Sequence, residues 1–585
     1  SPWKNLFPMM ILSLQLGHNA TAALLQDGNI IGAVSQEKFD NIKNSSAFPE
    51  GAIRYLLQEH QVKTLDNIAI AGIFLFPGQI QDLQVKDGSF LSFKSRSLCF
   101  LLRSRILRDL YWKTTIIKRK RASKKAKIEL VNKLAFLLQD KPSSVEKKLH
   151  FVEHHVCHSA SVAFGIVPSK QKTLVFTLDG SGDYFCSTVN IFEQGVLKRL
   201  ASTPWTDSLG YLYAKVTQYL GMKALEHEYK VMGLAPYPKK QYVEKLYQDV
   251  FQPLITLDKK NPLMFRAPFP LNYVLPFLHQ RLFLQRFDNI ASALQMLTEN
   301  LVTSWVRSAI EITGIDRIAC SGGVFMNVKL NKKISEMKQV RDCVFMPSAG
   351  DESNPFGAAY MVYKKLTGKD PQPLSNLYLG PSYTPSEIKA FLDDHRIRSR
   401  YGFRDENDIE KKIAQLLRDF HVVARFSGRA EWGARALGNR SILANPSDLQ
   451  SFYEVNHAIK QRDFWMPFAP SILEDRAKDY LINPKNLPAP FMALAFDSTE
   501  LGKKDLKACL HQADFTMRPQ IVSQEDTPDY FRLLKYFEEL TGLGGVMNTS
   551  FNLHGFPLVA TLEQALFTFE NSGLKYLALE NYLIS

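Results

Sequence analysis

Cysteine is scarce in this chain. Six residues in 585 (Cys99, Cys157, Cys186, Cys320, Cys343 and Cys509) are scattered, and none forms a CxxC pair. Such usage excludes a disulfide-stapled scaffold and a thiolate metal cage, and it suits a reducing compartment. No run approaches 18 uninterrupted apolar residues, which argues against a spanning helix. The opening Ser1-Pro2-Trp3-Lys4-Asn5 lacks the charged, apolar and small-residue order of a secretory leader, so a cytoplasmic protein is expected. There is no extended low-complexity tract and no sequence-level repeat. Neither the Walker pattern GxxxxGK[ST] nor a dinucleotide fingerprint occurs. Acid is missing from one place in particular: residues 103–127 hold eleven Lys and Arg against the single acid Asp109.

That stretch distorts the overall balance. Lys and Arg number 72 and Asp and Glu 58, a net charge of +14. Residues 103–127 account for +10 of it and leave +4 for the rest, so a nearly balanced chain carries one basic insertion, about 90–128. It reads as a solvated helix, with contact to anionic lipid, a lipid-like acceptor or nucleic acid left open. Hydrophobic residues make up 45% and charged residues 22%, with 31 Gly and 29 Pro. This is globular composition, and 585 residues exceed one core at roughly 100–200 residues per domain. The polar, Pro-bearing linker 369–374 sets the boundary: a first domain over 1–370 and a second over 371–585.

In the first domain the β run 10–14 enters the turn Gly17-His18-Asn19-Ala20, and Asp27-Gly28-Asn29 leads to a second run over 30–34. Together they predict an antiparallel ribbon. A run over 173–178 ends in Asp179-Gly180-Ser181-Gly182-Asp183, and another over 317–320 ends in Ser321-Gly322-Gly323. Glycines at strand ends let backbone N–H groups approach phosphate closely. Three such turns point to a nucleotide cleft between lobes. His154 and His158, if helical, share one face and can share a metal ion, with Asp351 as a candidate third ligand. Two imidazoles and a carboxylate suit a divalent transition metal such as iron; a satisfied polar cluster is the alternative. In the second domain GRAEWGARALGNRS (428–441) includes Arg435, Arg440 and Ser441. Lys460-Gln461-Arg462, Arg518 and the NTSFN run (548–552) add cationic and amide donors. Guanidinium groups bind phosphate bidentately, so these residues predict an anionic, phosphorylated substrate; a structural salt-bridge network is the other reading.

Taken together these motifs resemble the O-carbamoyltransferase family that includes the nodulation-factor, aminoglycoside and cephem carbamoyltransferases. The resemblance runs along essentially the whole chain. It rests on the His18 turn, HHxxH at 154–158, DGSGD at 179–183, GGVFMN at 322–327 and Asp351. It continues in GRAEWGARALGNRS, FWMPFAP at 464–470 and NTSFN. It implies an α/β protein: an actin-like (ASKHA), two-lobed, TsaD-like nucleotide-binding domain followed by a YrdC-like α/β domain. Lys460 and Arg462 match the KxR element of the latter, and Ser550 and Asn552 its SxN element. The implied activity makes carbamoyl adenylate from carbamoyl phosphate and ATP, with Mg2+. It then transfers the carbamoyl group to a hydroxyl of a small-molecule acceptor.

In that scheme Asp179, Gly180, Gly182, Asp183, Gly322, Gly323 and Asn327 hold the adenylate. Arg435, Arg440, Ser441, Lys460, Arg462, Arg518, Asn548, Ser550 and Asn552 hold ATP and carbamoyl phosphate. A divalent metal, Fe2+ by expectation, sits on His154, His158 and Asp351, with His154 and Asp351 also counted as catalytic. His18 takes the hydroxyl proton, or steadies the oxyanion, or is a structural turn histidine. Lys43 either neutralises the departing AMP or is a solvated lysine. The chain departs from the family at Gln36-Glu37-Lys38-Phe39, at Glu352-Ser353 after Asp351, and at Met466. A sugar kinase or simple ATPase on the same fold, and an RNA-binding or tRNA-modifying protein, are the competing classes. No nucleic acid partner is expected, and a homodimer stays open.

Overall fold

Asp27 and Gly28 both take positive φ, 48° and 90°. Two left-handed residues in a row make the tight hairpin that joins strand Thr21–Gln26 to strand Asn29–Ser35. Gln194 and Gly195 repeat the device at 49° and 73° between strands Phe185–Glu193 and Val196–Pro204. The structure, a computed structural model, describes residues 8–75, 101–168, 171–394, 397 and 399–585. Cys99 and the first part of the basic insertion lie outside the described residues. The chain divides into two units, Ser1–Phe39 with Asn44–Leu374, and Asp40–Lys43 with Ser375–Ser585.

The first unit contains the same sheet twice. Strands Met10–Gln15, Thr21–Gln26 and Asn29–Ser35 form an antiparallel meander, and Asn67–Ala71 and Leu149–Val152 add in parallel beside the first. The spatial order is third, second, first, fourth, fifth. Thr173–Gly182, Phe185–Glu193, Val196–Pro204, Arg317–Ser321 and Asp342–Phe345 repeat that order. This duplication is the two-lobed, actin-like α/β architecture. Helix His154–Gly165 leaves the last strand of the first sheet and packs on the second; helix Asn354–Thr367 follows the last strand of the second and packs on the first. The exchange lays the two helices against each other between the sheets. They cross closely: a Cβ on Gly357 would stand 1.8 Å from the Cys157 carbonyl oxygen. The basic insertion is the 33-residue helix Arg105–Leu137. Its Ala126, Leu130 and Leu134 join the core of the first sheet.

The second unit is built on an eight-stranded mixed sheet. Strands Val423–Phe426, Arg440–Ala444, Gly545–Ser550 and Ala469–Leu473 lie near its middle. Their apolar residues alternate between two cores: Ala424, Ile442 and Met547 face one, Val423, Leu443 and Val546 the other. A sheet covered on both faces needs apolar residues at every position, which explains the unbroken β runs.

Gly357→Ala should destabilise the first unit by at least about 1–3 kcal/mol, because the new methyl meets backbone that cannot move aside. Gly402→Ala, where nothing among the described residues lies within 4 Å of the added Cβ, should leave the denaturation midpoint unchanged. Equal midpoints for the two variants would contradict the close crossing.

Candidate active site

The helix exchange brings the ends of both sheets to one place. Glu153 caps helix His154–Gly165 by accepting hydrogen bonds from the N–H groups of His155 (2.9 Å) and Val156 (3.0 Å). His154 and His158 then project from one face, a turn apart. Asp179 arrives from the end of strand Thr173–Gly182, and Asp351 follows the last strand of the second sheet. One ligand atom from each of the four lies within 4.8 Å of the others. His154 Nε2 is 3.1 Å from His158 Nε2, 3.3 Å from Asp179 Oδ2 and 3.5 Å from Asp351 Oδ1. Gly182 makes room, since a Cβ there would stand 2.0 Å from the His154 ring.

Each of the four side chains is held from behind. The outer oxygen of Asp179 accepts from Gly323 N–H (3.1 Å), and that of Asp351 accepts from the Gln15 amide (3.3 Å). His158 Nδ1 faces the hydroxyls of Ser321 (3.4 Å) and Ser353 (3.5 Å). His154 Nδ1 lies 3.4 Å from Asn354 Nδ2, while the buried Asn354 Oδ1 has no partner among the described residues. With the Asn354 amide turned over, His154 Nδ1–H donates to Oδ1. All four groups then present their lone pairs inward, the arrangement of a metal centre with its supporting shell. Two imidazoles and two carboxylates suit a divalent transition cation.

Electrostatics support this reading. Burial opposes a charge on His154, but the carboxylates of Asp351, Asp179 and Asp183 hold its pKa up at about 10. Burial also opposes ionisation of Asp179, yet its hydrogen bond to His154 and the neighbouring imidazoles hold it well below the usual carboxylate range. The raised pKa favours a positive charge on His154, which balances the surrounding carboxylates as a bound cation would. His155 stands apart: burial drives its pKa down to about 3, and its Nδ1 pairs with the Thr177 hydroxyl at 2.8 Å.

The other expected residues of this unit divide by role. Asp183 is a bracket, its carboxylate accepting from the N–H groups of Ile73, Phe74 and His154. Asn327 caps helix Val328–Ser335 and pairs with the Gln295 amide. The Gly180 carbonyl accepts from Ser208 Oγ at 2.6 Å. Gly322 has φ 104°, and a Cβ there would stand 2.4 Å from the Leu178 carbonyl oxygen. His18 sits in a half-buried turn whose flanking residues brace the Asp351 segment: Gln15 as above, and Asn19, which donates to Glu352 (2.8 Å). The Glu352-Ser353 departure is thus put to use, Glu352 anchoring the turn and Ser353 backing His158. Lys43 belongs to the Asp40–Lys43 stretch that groups with the second unit.

In the second unit Arg435, Arg462 and Arg518 are close enough that burial and the other two guanidiniums depress Arg518 well below its ordinary pKa. Lys460 is buried and donates to Asn552 Oδ1 (2.5 Å), to the Asn552 carbonyl (2.8 Å) and to Ser550 Oγ (3.3 Å). Burial, Arg462 and Lys43 press its pKa well down. Three further expected binders are engaged by the fold. Arg440 is fully buried and donates to the carbonyls of Ser427, Asn439, Pro381 and Gly428 over the Phe426 ring. Ser441 Oγ accepts from Gly438 N–H, and Asn548 Nδ2 donates to Ala436 and Ser471. Asp179 as a fourth candidate ligand, and Gln15 and Asn354 behind the quartet, carry no spacing signal, because their partners are remote in sequence.

Metal uptake must displace the proton on His154, so apparent affinity for a divalent metal should rise about tenfold per pH unit up to about pH 10. Calorimetric titration across pH 6 to 9 checks this, and a flat profile contradicts it. Asn354→Leu should weaken metal binding by about 10–100-fold while Asn354→Asp preserves it; equal affinity in both would remove Asn354 from the supporting shell.

Two models of one family match the chain, Carbamoyltransferase N-terminus over residues 10–360 and Carbamoyltransferase C-terminus over residues 414–585. The nodulation protein NolNO of Sinorhizobium fredii is 30% identical over 97% of this chain and 79% of its own length. An uncharacterized protein of Methanocaldococcus jannaschii is 30% identical over 98% of this chain and 99% of its own length. The solved structure of T. kodakarensis HypF aligns with a TM-score of 0.32 at 13% identity, covering 62% of this chain and 50% of that one. With both models of a single family matched, the chain belongs to the carbamoyltransferase family and is a transferase of carbamoyl groups.

Proposed function

We propose that the protein is an ATP-dependent O-carbamoyltransferase that works through carbamoyl adenylate. The observation that carries the reading is the presence of two unlike sites in one chain. One is the acid-rich His154–His158–Asp179–Asp351 quartet, the other a cluster of guanidiniums beside a caged lysine.

In the second unit Arg435, Arg462 and Arg518 would bind the phosphates of ATP and carbamoyl phosphate, each guanidinium gaining the counter-charge it lacks beside its neighbours. Ser550 and Asn552 orient the Lys460 ammonium for the same task. Water cleaves carbamoyl phosphate to carbamate and phosphate. A carbamate oxygen then attacks the α-phosphorus of ATP, and the bond to pyrophosphate breaks, giving carbamoyl adenylate. In the first unit the glycine turns at 180–182 and 322–323 would present backbone N–H groups to the nucleotide. The acceptor hydroxyl attacks the carbamoyl carbon and the carbon–oxygen bond to AMP breaks. His18 is placed to take the proton or to steady the oxyanion. A divalent cation on the quartet, iron by the chemistry of its donors, would polarise the carbamoyl oxygen when bound, while Mg2+ accompanies ATP. Lys43 is assigned to the phosphate-binding side with Lys460. The acceptor is a hydroxyl of a small molecule, a sugar or a natural-product scaffold.

Pyrophosphate release that requires both ATP and carbamoyl phosphate is the expected signature, and ADP in its place would favour a kinase. Arg462→Ala should slow that release by on the order of a hundredfold. His154→Ala with His158→Ala should keep it while abolishing the carbamoyl mass gain in a metabolite extract. Transfer at the normal rate in the double variant would refute the role given to the quartet.

A further inference from the structure

We propose that the outward face of helix Arg105–Leu137 docks the protein on an anionic lipid surface. The inference stands apart from the transfer reaction, because none of its residues belongs to either site above.

The inward side of this helix is fixed. Arg108 pairs with Asp207 (3.3 Å) and donates to the carbonyls of Ala267 and Pro268, and Ala126, Leu130 and Leu134 are buried under the first sheet. Arg119 lies over the Trp205 ring and donates to the Asp183 carbonyl. At 100° per residue the opposite side carries Ile106, Leu110, Ile117 and Ile128 in one stripe. They are 80%, 56%, 51% and 64% exposed, a line of large aliphatic side chains about 33 Å long. Lys113, Lys120, Arg121 and Lys124 fall in the same stripe, between the aliphatic residues, and none has an ion-pair partner among the described residues. Residues 110–128 contain no acid.

Aliphatic residues interleaved with cations match a headgroup layer, where the side chains enter the acyl boundary and the ammonium groups meet lipid phosphate. Two other occupants fit less well. Nucleic acid would want exposed rings for stacking. Here Tyr111 hydrogen-bonds Tyr273 and packs on Trp205, and Trp112 packs on Tyr184, both away from the stripe. A second copy of this face would set cations against cations. Among the described residues no helix is long and apolar enough to cross a membrane, so the attachment is peripheral.

The test uses the full-length chain in a sedimentation assay with vesicles of phosphatidylcholine alone and of phosphatidylcholine mixed with phosphatidylglycerol. Binding is expected only to the mixed vesicles and should weaken as salt rises. The triple variant Lys113→Gln, Lys120→Gln, Lys124→Gln should lower the partition coefficient at least tenfold. Ile106→Ser with Ile117→Ser should also weaken binding at high salt, where charge is screened. Melting temperatures matching the wild type confirm that the variants fold, and the salt series on the wild type stands without them. No binding to mixed vesicles, equal binding to neutral ones, or undiminished binding by both variants would overturn the proposal. So would retention on single-stranded RNA stronger than on vesicles and lost in the triple variant, which would assign the face to nucleic acid.

Discussion

The first unit depends on bringing two carboxylates and two imidazoles to one buried point. Acids taken out of water repel one another and lose hydration, so the arrangement persists only if every lone pair and proton has a partner. The fold supplies those partners as five residues from three stretches of the sequence. Asp179 leans on Gly323, Asp351 on Gln15, His158 on Ser321 and Ser353, and His154 on Asn354. The exchanged helices make this geometry available, since each starts at the end of one sheet and lies on the other. A change in either sheet therefore reaches the site without touching a ligand.

The second unit presents the opposite problem. It gathers guanidiniums and an ammonium where burial disfavours charge, and Arg518 and Lys460 are pressed toward neutrality. One unit thus has an excess of acid that calls for a cation. The other has an excess of base that calls for an anion. A carbamoyltransferase that activates its donor with ATP before handing it to an alcohol has a use for both.

The chemistry of the quartet was legible in part. HHxxH announces two imidazoles one helical turn apart, and the helix is where that spacing requires it. Asp179 read as a phosphate-side residue because DGSGD looks like a glycine turn; its meeting with His154 depends on a contact between strand and helix that no local pattern encodes. Arg440 shows the reverse case. Its motif is dense in arginine, and sequence conveys charge but not direction: this guanidinium points into the fold and spends its Nη hydrogens on four carbonyls. Asn327 and Asn548 pose the same ambiguity, since an amide that caps a helix or bridges strands looks like any other amide in sequence. The two lobes were expected from the glycine turns and the resemblance, but no sequence repeat marks the doubled sheet, because each copy needs only apolar alternation and a left-handed turn, which Asp27-Gly28 and Gln194-Gly195 supply with different first residues.

The central claim is that activation and transfer are separate steps joined by a mixed anhydride of AMP. Phosphorus NMR of the protein turning over ATP and carbamoyl phosphate with an alcohol acceptor tests it most directly. The account predicts AMP, pyrophosphate and phosphate appearing in equal amounts, one set for each acceptor carbamoylated. Carbamoylated acceptor formed while ATP stays intact, or accompanied by ADP alone, would contradict it.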